Sequence, residues 1–271
     1  MHPTSAGDGQ QYHIRCKRGD LAKYLLVPGD PDRVPKIAKF WGESHEVACH
    51  REFRSFTGKY KGVPISAMSS GIGPAAMAIL VNEAANVGVE TFVRVGSTGA
   101  IQKDIECGDL VVSVGAVRLD GTSEHYVGVE YPAVANYEVL LALIEAAESL
   151  GVRYHVGITA TSSDFYTGQA RLSFNRFKRP KTDNLIQTLQ KANVLNFDME
   201  CATLFVLSSL FGLRAGAACA VYANRITNEF KPGAGEENCI KVANEAVKIL
   251  NDWGQTKQRK KKKWFYPNML K

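Results

Sequence analysis

Short apolar runs bounded by glycine, proline or aspartate alternate along the chain with longer stretches of helical periodicity. This alternation is typical of a parallel sheet covered by helices. The apolar runs predict strands at residues 24–27, 64–69, 91–95, 109–114, 154–161 and 214–222. The periodic stretches predict helices at 34–40, 75–87, 137–150, part of 173–192, 200–211 and 236–253. We therefore predict one α/β domain: a twisted, mixed and mainly parallel central sheet flanked by helices.

The longest mostly apolar run, residues 202–223, is long enough to suggest a membrane span. Gly212 and Arg214 interrupt it near its middle. Because glycine commonly ends a helix, a buried helix that ends at Gly212 and a buried strand after it account better for the run. We therefore expect no membrane association.

The charge of the chain is concentrated at one end. The 271 residues include 33 Lys and Arg against 27 Asp and Glu, a formal net charge of +6. Residues 257–271 hold seven of these cations and no acid, so the rest is close to neutral. Such a tail can touch nucleic acid or an acidic membrane surface, but we favour a frayed, solvated terminus and expect no nucleic-acid binding. We divide the chain into an N-terminal extension (1–12), one domain (13–256) and this basic C-terminal tail (257–271).

The cysteine and histidine patterns indicate the compartment and the chemistry. Six cysteines are scattered without C-x-x-C spacing, as is typical of reduced, buried thiols in a cytosolic protein. The N-terminus lacks the charged start and apolar stretch of a secretion signal. The histidines show no metal-ligand spacing. We predict a cytoplasmic protein with no catalytic metal and no cofactor.

Residues 164–171 read D-F-Y-T-G-Q-A-R and place two aromatic rings shortly before Gln169 and Arg171. Glutamine offers one acceptor and two donors, whereas arginine offers donors only. Together they match a ring edge that alternates carbonyl, N–H and carbonyl. Uracil and thymine have that edge, and a ring such as Phe165 can stack on their faces. An ordinary solvated loop is the alternative at this stage.

Two predicted strands end in turns that combine glycine with arginine. In P-G-D-P-D-R, Gly29 allows close backbone approach and Arg33 adds a bidentate cation at the start of a helix. In R-V-G-S-T-G, Arg94 lies inside an apolar strand, where a buried guanidinium requires a partner. The hydroxyl of Ser97 can complete a cradle for an anion. Because ligands bind at the carboxyl ends of parallel strands, the two turns favour a phosphate site over two unrelated turns.

The segment N-F-D-M-E places Asp198 and Glu200 two residues apart before a predicted helix. Helix capping by Asp198 with Glu200 in the first turn is one interpretation. The other is that a carboxylate accepts hydrogen bonds from a sugar diol while Met199 packs against the sugar face. The sequence leaves both open.

Together these segments resemble the nucleoside phosphorylases of the uridine phosphorylase and hexameric purine phosphorylase type. The resemblance runs from about His13 to Trp253 and implies the nucleoside phosphorylase fold. The uridine branch is the more similar, because it carries glutamine and arginine at the positions of Gln169 and Arg171. The matching motifs are P-G-D-P-D-R (28–33), H-R-E-F (50–53), S-G-I-G (70–73), R-V-G-S-T-G-A (94–100), V-R-L-D-G (117–121), D-F-Y-T-G-Q-A-R (164–171), D-M-E-C-A-T (198–203) and N-R (224–225).

The resemblance implies reversible phosphorolysis of uridine to uracil and ribose 1-phosphate, with phosphate as the co-substrate. It assigns catalysis to Arg94, Gln169, Arg171 and Glu200. It assigns phosphate to Gly29, Arg33, Arg94, Ser97 and a neighbouring subunit's Arg51. It assigns the ribose to Met199, Glu200 and the neighbour's His13, and the base to Phe165, Gln169, Arg171 and Arg225, with Tyr222 close by. Shared sites imply at least a dimer, and in the family a hexamer of three dimers.

The chain departs from the family pattern in three places. Purine-specific relatives use an aspartate near 222–224 to protonate the base, whereas this chain has Tyr222, Ala223 and Asn224, so a purine lacks its proton donor. Tyr222 also replaces a smaller aliphatic residue. Ala76 stands where bacterial relatives have a serine that helps to bind a monovalent interface cation together with the residue matching Glu52, which argues against that cation. Phosphorylases of deoxyuridine, thymidine or inosine, and a phosphate-independent nucleosidase, remain alternatives.

Overall fold

The computed structural model describes residues 9–270, so most of the N-terminal extension and Lys271 lie outside the described residues. The helices are α1 (Arg33–Ala38), α2 (Pro74–Asn86), α3 (Tyr137–Ser149), α4 (Leu185–Lys191), α5 (Cys201–Leu210) and α6 (Glu236–Arg259). The strands are β1 (Tyr24–Val27), β2 (Gly42–His50), β3 (Phe53–Tyr60), β4 (Val63–Met68), β5 (Thr91–Ala100), β6 (Leu110–Leu119), β7 (Ala133–Val134), β8 (Tyr154–Ser162), β9 (Val194–Asp198), β10 (Arg214–Asn224) and β11 (Glu229–Phe230).

These elements form one α/β domain around a mixed sheet, as predicted. Parallel pairings join β4 to β1, β1 to β5 and β5 to β10, and also join β6 to β8 and β8 to β9. Antiparallel pairings add β2 and β3 beyond β4, and the short β7 and β11 at other edges. The six predicted strands and the predicted helices are present, with β5 and β6 extending several residues further than the apolar runs indicated.

Strand β5 is paired along the whole of one edge, whereas on its other edge two different strands pair with its two ends. Strand β10 pairs with β5 from Thr91 to Ala100. On the other edge β1 pairs with residues 91–94, whereas β9 pairs with Gly99 and Ala100 only. Residues 95–98 between them have no strand partner on that edge within the described chain. This gap opens at the carboxyl end of β1, the place where open parallel sheets bind ligands.

Two layers of helices cover the sheet. Because successive strand residues face opposite sides, Leu26 and Val93 pack towards α1, α3 and α6, whereas Leu25 and Phe92 pack towards α2 and α5. All four side chains have no exposed surface. The central strands are buried on both faces and therefore appear in the sequence as continuous apolar runs.

The apolar run at 202–223 is a buried helix, α5, followed by the buried strand β10, as predicted. Gly212 lies between them with a φ of 69°, the left-handed conformation that commonly ends a helix. Among residues 9–270 no helix is both long and apolar enough to cross a membrane.

The basic tail packs against the domain, and the prediction of a frayed terminus was wrong. Helix α6 continues through residue 256 to Arg259. Beyond it, the side chains of Phe265 and Met269 are only 5% and 1% exposed, and Phe265 stacks on Trp253 with ring centroids 3.8 Å apart. Two apolar side chains therefore hold a segment whose lysines alone would favour solvent.

Candidate active site

A cavity of about 690 Å³ opens at the gap beside β5. Its volume is within the range of small-molecule sites. Turns after β1 and β4, the second half of β5, the 165–171 segment and the start of α5 form its walls. Of the thirteen residues that the resemblance assigned to the site, ten line it: Gly29, Arg33, Arg94, Ser97, Phe165, Gln169, Arg171, Met199, Glu200 and Tyr222.

Arg94 lies at the floor of this cavity with 4% of its surface exposed. Its Nε donates to Asp198 Oδ2 at 3.1 Å, and its Nη2 pairs with Glu200 Oε2. These are the partners that a buried guanidinium requires. Burial disfavours the charge, but the carboxylates, Glu200 above all, raise the pKa of Arg94 well above its usual value. Its Nη1 is buried and has no partner among the described residues, so a donor remains for an anion.

Gly96 makes room for this arginine. A Cβ at residue 96 would lie 2.6 Å from the sulfur of Cys219 and 3.1 Å from the guanidinium carbon of Arg94. Such contacts are too short for ordinary packing. The glycine in R-V-G-S-T-G therefore serves close packing of Arg94.

The two carboxylates before α5 have separate roles in the structure. Asp198 accepts from the backbone N–H groups of Glu200 and Cys201, at 3.1 and 2.9 Å, and so caps the start of α5. Both carboxylates line the cavity, but Glu200 does not cap the helix; its Oε1 accepts from the N–H of Gly73 at 2.6 Å. Burial raises the pKa of Glu200, and the charge of Arg94 opposes that rise. Because a carboxylate has about four acceptor positions, Glu200 can still accept from hydroxyl groups.

Arg33 is fixed by three hydrogen bonds. Its Nη1 donates to the carbonyl of Val95 at 3.1 Å, its Nε to Glu236 Oε2 at 2.9 Å and its Nη2 to the hydroxyl of Tyr222 at 3.1 Å. The acceptor on Val95 belongs to the unpaired edge of β5. Glu236 is a functional candidate that the sequence did not indicate; its only signal is an acid at the start of a predicted helix, which normally indicates capping.

The opposite end of the cavity is aromatic and cationic. The guanidinium carbon of Arg171 lies 4.5 Å from the centroid of the Phe165 ring, and the Nε of Arg171 is buried without a partner among the described residues. Arg225 does not line the cavity; it donates to the carbonyl of Gln169 at 2.6 Å. Burial lowers the pKa of Arg171, and burial with the like charge of Arg171 lowers that of Arg225 to about 10. Within residues 9–270 no carboxylate offsets the positive charge of this end.

Two predicted residues, His13 and Arg51, do not line the cavity of their own chain within residues 9–270. His13 Nδ1 lies 2.6 Å from Glu83 Oε1, which leaves Nε2 as the nitrogen available to a ligand. Arg51 has a left-handed backbone, with φ 55°, and its guanidinium lies 5.9 Å from the ring of Tyr12. Both are at the surface of the chain or close to it.

Asn224 is structural. Its amide donates to the carbonyls of Gln102 and Ile105 at 2.8 and 2.6 Å, and its Oδ1 accepts from the N–H groups of Ile226 and Thr227 at 2.8 and 3.1 Å. The side chain is buried and does not line the cavity. It therefore has no group left for a ligand. Among residues 9–270 no three His, Cys, Asp or Glu side chains come together as a metal site would require.

These contacts define a site for a small ligand with an anion at one end and a flat ring at the other, with a carboxylate between them for hydroxyl groups. The chain belongs to the phosphorylase superfamily, whose family model matches residues 23–256. It is 58% identical over 262 residues to a uridine phosphorylase from Thermococcus kodakarensis, which covers 97% of this chain and 94% of that protein. A uridine phosphorylase from Klebsiella aerogenes is 41% identical over 247 residues, 88% of this chain and 97% of its own. A guanosine phosphorylase from Halorubrum lacusprofundi is 37% identical over 238 residues, 88% of this chain and 93% of its own.

Proposed function

We propose that the chain catalyses the reversible phosphorolysis of uridine to uracil and ribose 1-phosphate. The observation that carries the proposal is the pair of unneutralised guanidiniums, Arg171 and Arg225, next to Gln169 at one end of a cavity whose other end holds Arg33 and Arg94. The names of the two uridine phosphorylases, at 58% and 41% identity over most of their length, support the same substrate.

Breaking the N-glycosidic bond leaves positive charge on the ribose and negative charge on the departing base, so both need stabilisation in the transition state. Phosphate held by Arg33, Arg94, Ser97 and the backbone at Gly29 attacks the anomeric carbon and offsets the positive charge. Glu200 accepts from the ribose hydroxyls, and Met199 packs against the sugar. The phosphate oxygen replaces the base directly, so no covalent enzyme intermediate is required and no cofactor takes part.

At the other end, Phe165 stacks on the pyrimidine while Gln169 and Arg171 bind its edge. As the bond breaks, electrons move onto the ring and its carbonyl oxygens. The charge of Arg171, with that of Arg225 behind it, stabilises those oxygens in the manner of an oxyanion hole. The lack of a neutralising carboxylate at this end is what such a role requires.

A purine substrate is the weaker candidate. Purine-specific relatives have an acid near 222–224, where this chain has Tyr222, Ala223 and Asn224. Of these, Asn224 is the amide, and all of its polar atoms already bind backbone groups. It cannot protonate a purine ring, and it has no amide group left to contact one. Because one relative is named a guanosine phosphorylase, purine nucleosides still belong in the test.

The test is an assay of base release from uridine, deoxyuridine, thymidine, inosine and guanosine, each with and without phosphate. We expect uridine with phosphate to give the highest kcat/KM. We also expect omission of phosphate to abolish uracil release. The arginines bind an anionic nucleophile, and they do not hold a neutral water molecule in its place. Phosphate-independent release of uracil would instead show a nucleosidase, and a preference for inosine or guanosine would show a purine phosphorylase.

We also propose that the chain acts as a homo-oligomer with shared sites, at least a dimer and, as in the family, a hexamer. The support is that His13 and Arg51, which the family places in the neighbour's site, do not line the cavity of their own chain.

The six cysteines form no disulfide among the described residues, which supports a cytoplasmic location. Cys49 is exposed and Cys107 is partly exposed, although both were predicted to be buried.

Mixing two inactive variants tests the shared site. In an oligomer that combines Arg51→Ala with Arg171→Ala subunits, one of the two sites in each mixed dimer has both arginines intact. Random assembly on co-expression therefore restores about a quarter of wild-type activity. Activity that stays at the level of the separate variants would place Arg51 in the site of its own chain or outside any site.

A further inference from the structure

Tyr222 lies on β10 and lines the cavity, and its hydroxyl contacts Arg33, at the end of the cavity assigned to phosphate. It accepts from Arg33 Nη2 at 3.1 Å and donates to Glu236 Oε2 at 2.6 Å. The same carboxylate oxygen accepts from Arg33 Nε at 2.9 Å. Arg33, Tyr222 and Glu236 therefore close a ring of hydrogen bonds around one edge of the guanidinium.

This ring fixes the plane of Arg33. A guanidinium has five N–H donors in a rigid fork, and three of them go to Glu236, to Tyr222 and to the carbonyl of Val95. The side chain is only 6% exposed, and the residue lines the cavity. Two N–H groups, one on each terminal nitrogen, remain for an anion, and their direction is set by the other three.

Glu236 is itself held in place. It is the first residue of α6, where the helix dipole favours an acid, and Lys36 donates to its Oε1 at 2.7 Å. Although burial opposes the charge, hydrogen bonds from Lys36 and Tyr222 and the charge of Arg33 lower the pKa of Glu236 to about 2. The turn before it is tightly packed, since a Cβ at Gly235 would clash with the carbonyl oxygen of Gly108. The Glu236 carboxylate is therefore fixed by the hydrogen bonds of Lys36, Tyr222 and Arg33.

We propose that Tyr222 and Glu236 are positioning residues that orient Arg33 for phosphate, an inference that rests on the proposed phosphorolysis. Neither has to touch the nucleoside. Pre-orientation lowers the cost of ordering a long side chain when the anion binds. Tyr222 then affects affinity for phosphate and ribose 1-phosphate, and not the choice of base, although the sequence had grouped it with the base-binding residues.

Tyr222→Phe removes the hydroxyl and keeps the ring. Because the lost hydrogen bond is to a charged group that would hold the anion, we expect KM for phosphate to rise about 10-fold. KM for ribose 1-phosphate in the reverse reaction should rise similarly, whereas KM for uridine and for uracil should change less than about twofold. A rise in KM for uridine or uracil with KM for phosphate unchanged would overturn the proposal and place Tyr222 in the base site.

Tyr60→Phe is the matched control. The Tyr60 hydroxyl donates to Glu245 at 2.8 Å, and Lys61 binds the same carboxylate, so the chemistry is alike but lies outside the cavity. We expect a comparable loss of thermal stability in both variants, with an increase in KM for phosphate in Tyr222→Phe alone. An equal increase in both would show a general structural effect and contradict the proposal.

A double-mutant cycle with Arg33→Ala tests whether Tyr222 acts through the arginine. In that background, Tyr222→Phe should leave KM for phosphate unchanged; a further 10-fold increase would show an independent role. Protection against thermal unfolding by inorganic phosphate alone measures the same affinity without turnover. Reduced protection in Tyr222→Phe supports the inference even if uridine proves not to be the substrate, and unaltered protection contradicts it even if uridine phosphorolysis is confirmed.

Discussion

Arg171→Ala is expected to lower kcat/KM for uridine by at least about 10²-fold while the protein stays folded. In the proposed mechanism, negative charge develops on the uracil oxygens as the glycosidic bond breaks, and Arg171 stabilises that charge from a partly buried site. Removing one such donor typically costs about 10² to 10³ in rate. Among the described residues Arg171 has no carboxylate partner, so its removal does not leave a buried carboxylate without its counter-charge. Steady-state kinetics with saturating phosphate, together with a thermal unfolding curve, measure both halves of the prediction.

Two further variants separate the role of Arg171 from a general effect of charge. Arg179 lies eight residues after Arg171, is exposed and does not line the cavity. Arg179→Ala should therefore leave kcat/KM within about twofold of wild type. Arg171→Lys keeps the charge but not the planar fork, so its activity should fall between those of wild type and Arg171→Ala. If Arg171→Ala turned over uridine at a near-normal rate, neither this residue nor the octapeptide around it would select the base.

The sequence predicted the surroundings of Arg94 best, because a charged side chain in an apolar strand needs a partner. A guanidinium inside an apolar strand needs a counter-charge, and Arg94 finds two, Asp198 and Glu200, which the sequence had singled out for a different reason. Of the alternatives left open for these two acids, capping by Asp198 is confirmed, and hydrogen bonding of a sugar diol by Glu200, which lines the cavity, stays a prediction. The position of Glu200 depends on a hydrogen bond from the backbone N–H of Gly73, and a pattern of residue types does not reveal that contact.

Strand β2, which the sequence did not predict, has no pattern to reveal it. Strand β2 is exposed or half-buried along its length, so its apolar and polar positions do not alternate. It forms because β3 and β4 provide an edge for it to pair with. The hydroxyl of Tyr222 shows a related limit: the position of the residue on β10 was predictable, but the direction of its hydroxyl depends on Glu236, a residue from another element.

The tail shows the same limit, and it leads to the second large effect. We expect Phe265→Ala to lower the free energy of unfolding by about 3 kcal/mol, a typical cost for removing a buried aromatic ring. The ring is 5% exposed and lies face to face with Trp253, at an interplanar angle of 9°. Its backbone is also fixed, since its N–H donates to Glu138 Oε1 at 3.2 Å and its carbonyl accepts from Tyr137 at 3.1 Å. Urea unfolding at a fixed protein concentration measures the change.

Tyr266→Ala is the control for this prediction, because the neighbouring ring is 46% exposed and should contribute less than about 0.5 kcal/mol. The kcat/KM of both variants at low temperature should match wild type, because Phe265 and Tyr266 do not line the cavity. Equal and small effects in the two variants would mean that the tail does not pack on α6 in solution. A loss confined to Phe265→Ala would instead show that a segment with seven basic residues is held by its apolar ones, which outweigh the solvation of the lysines around them.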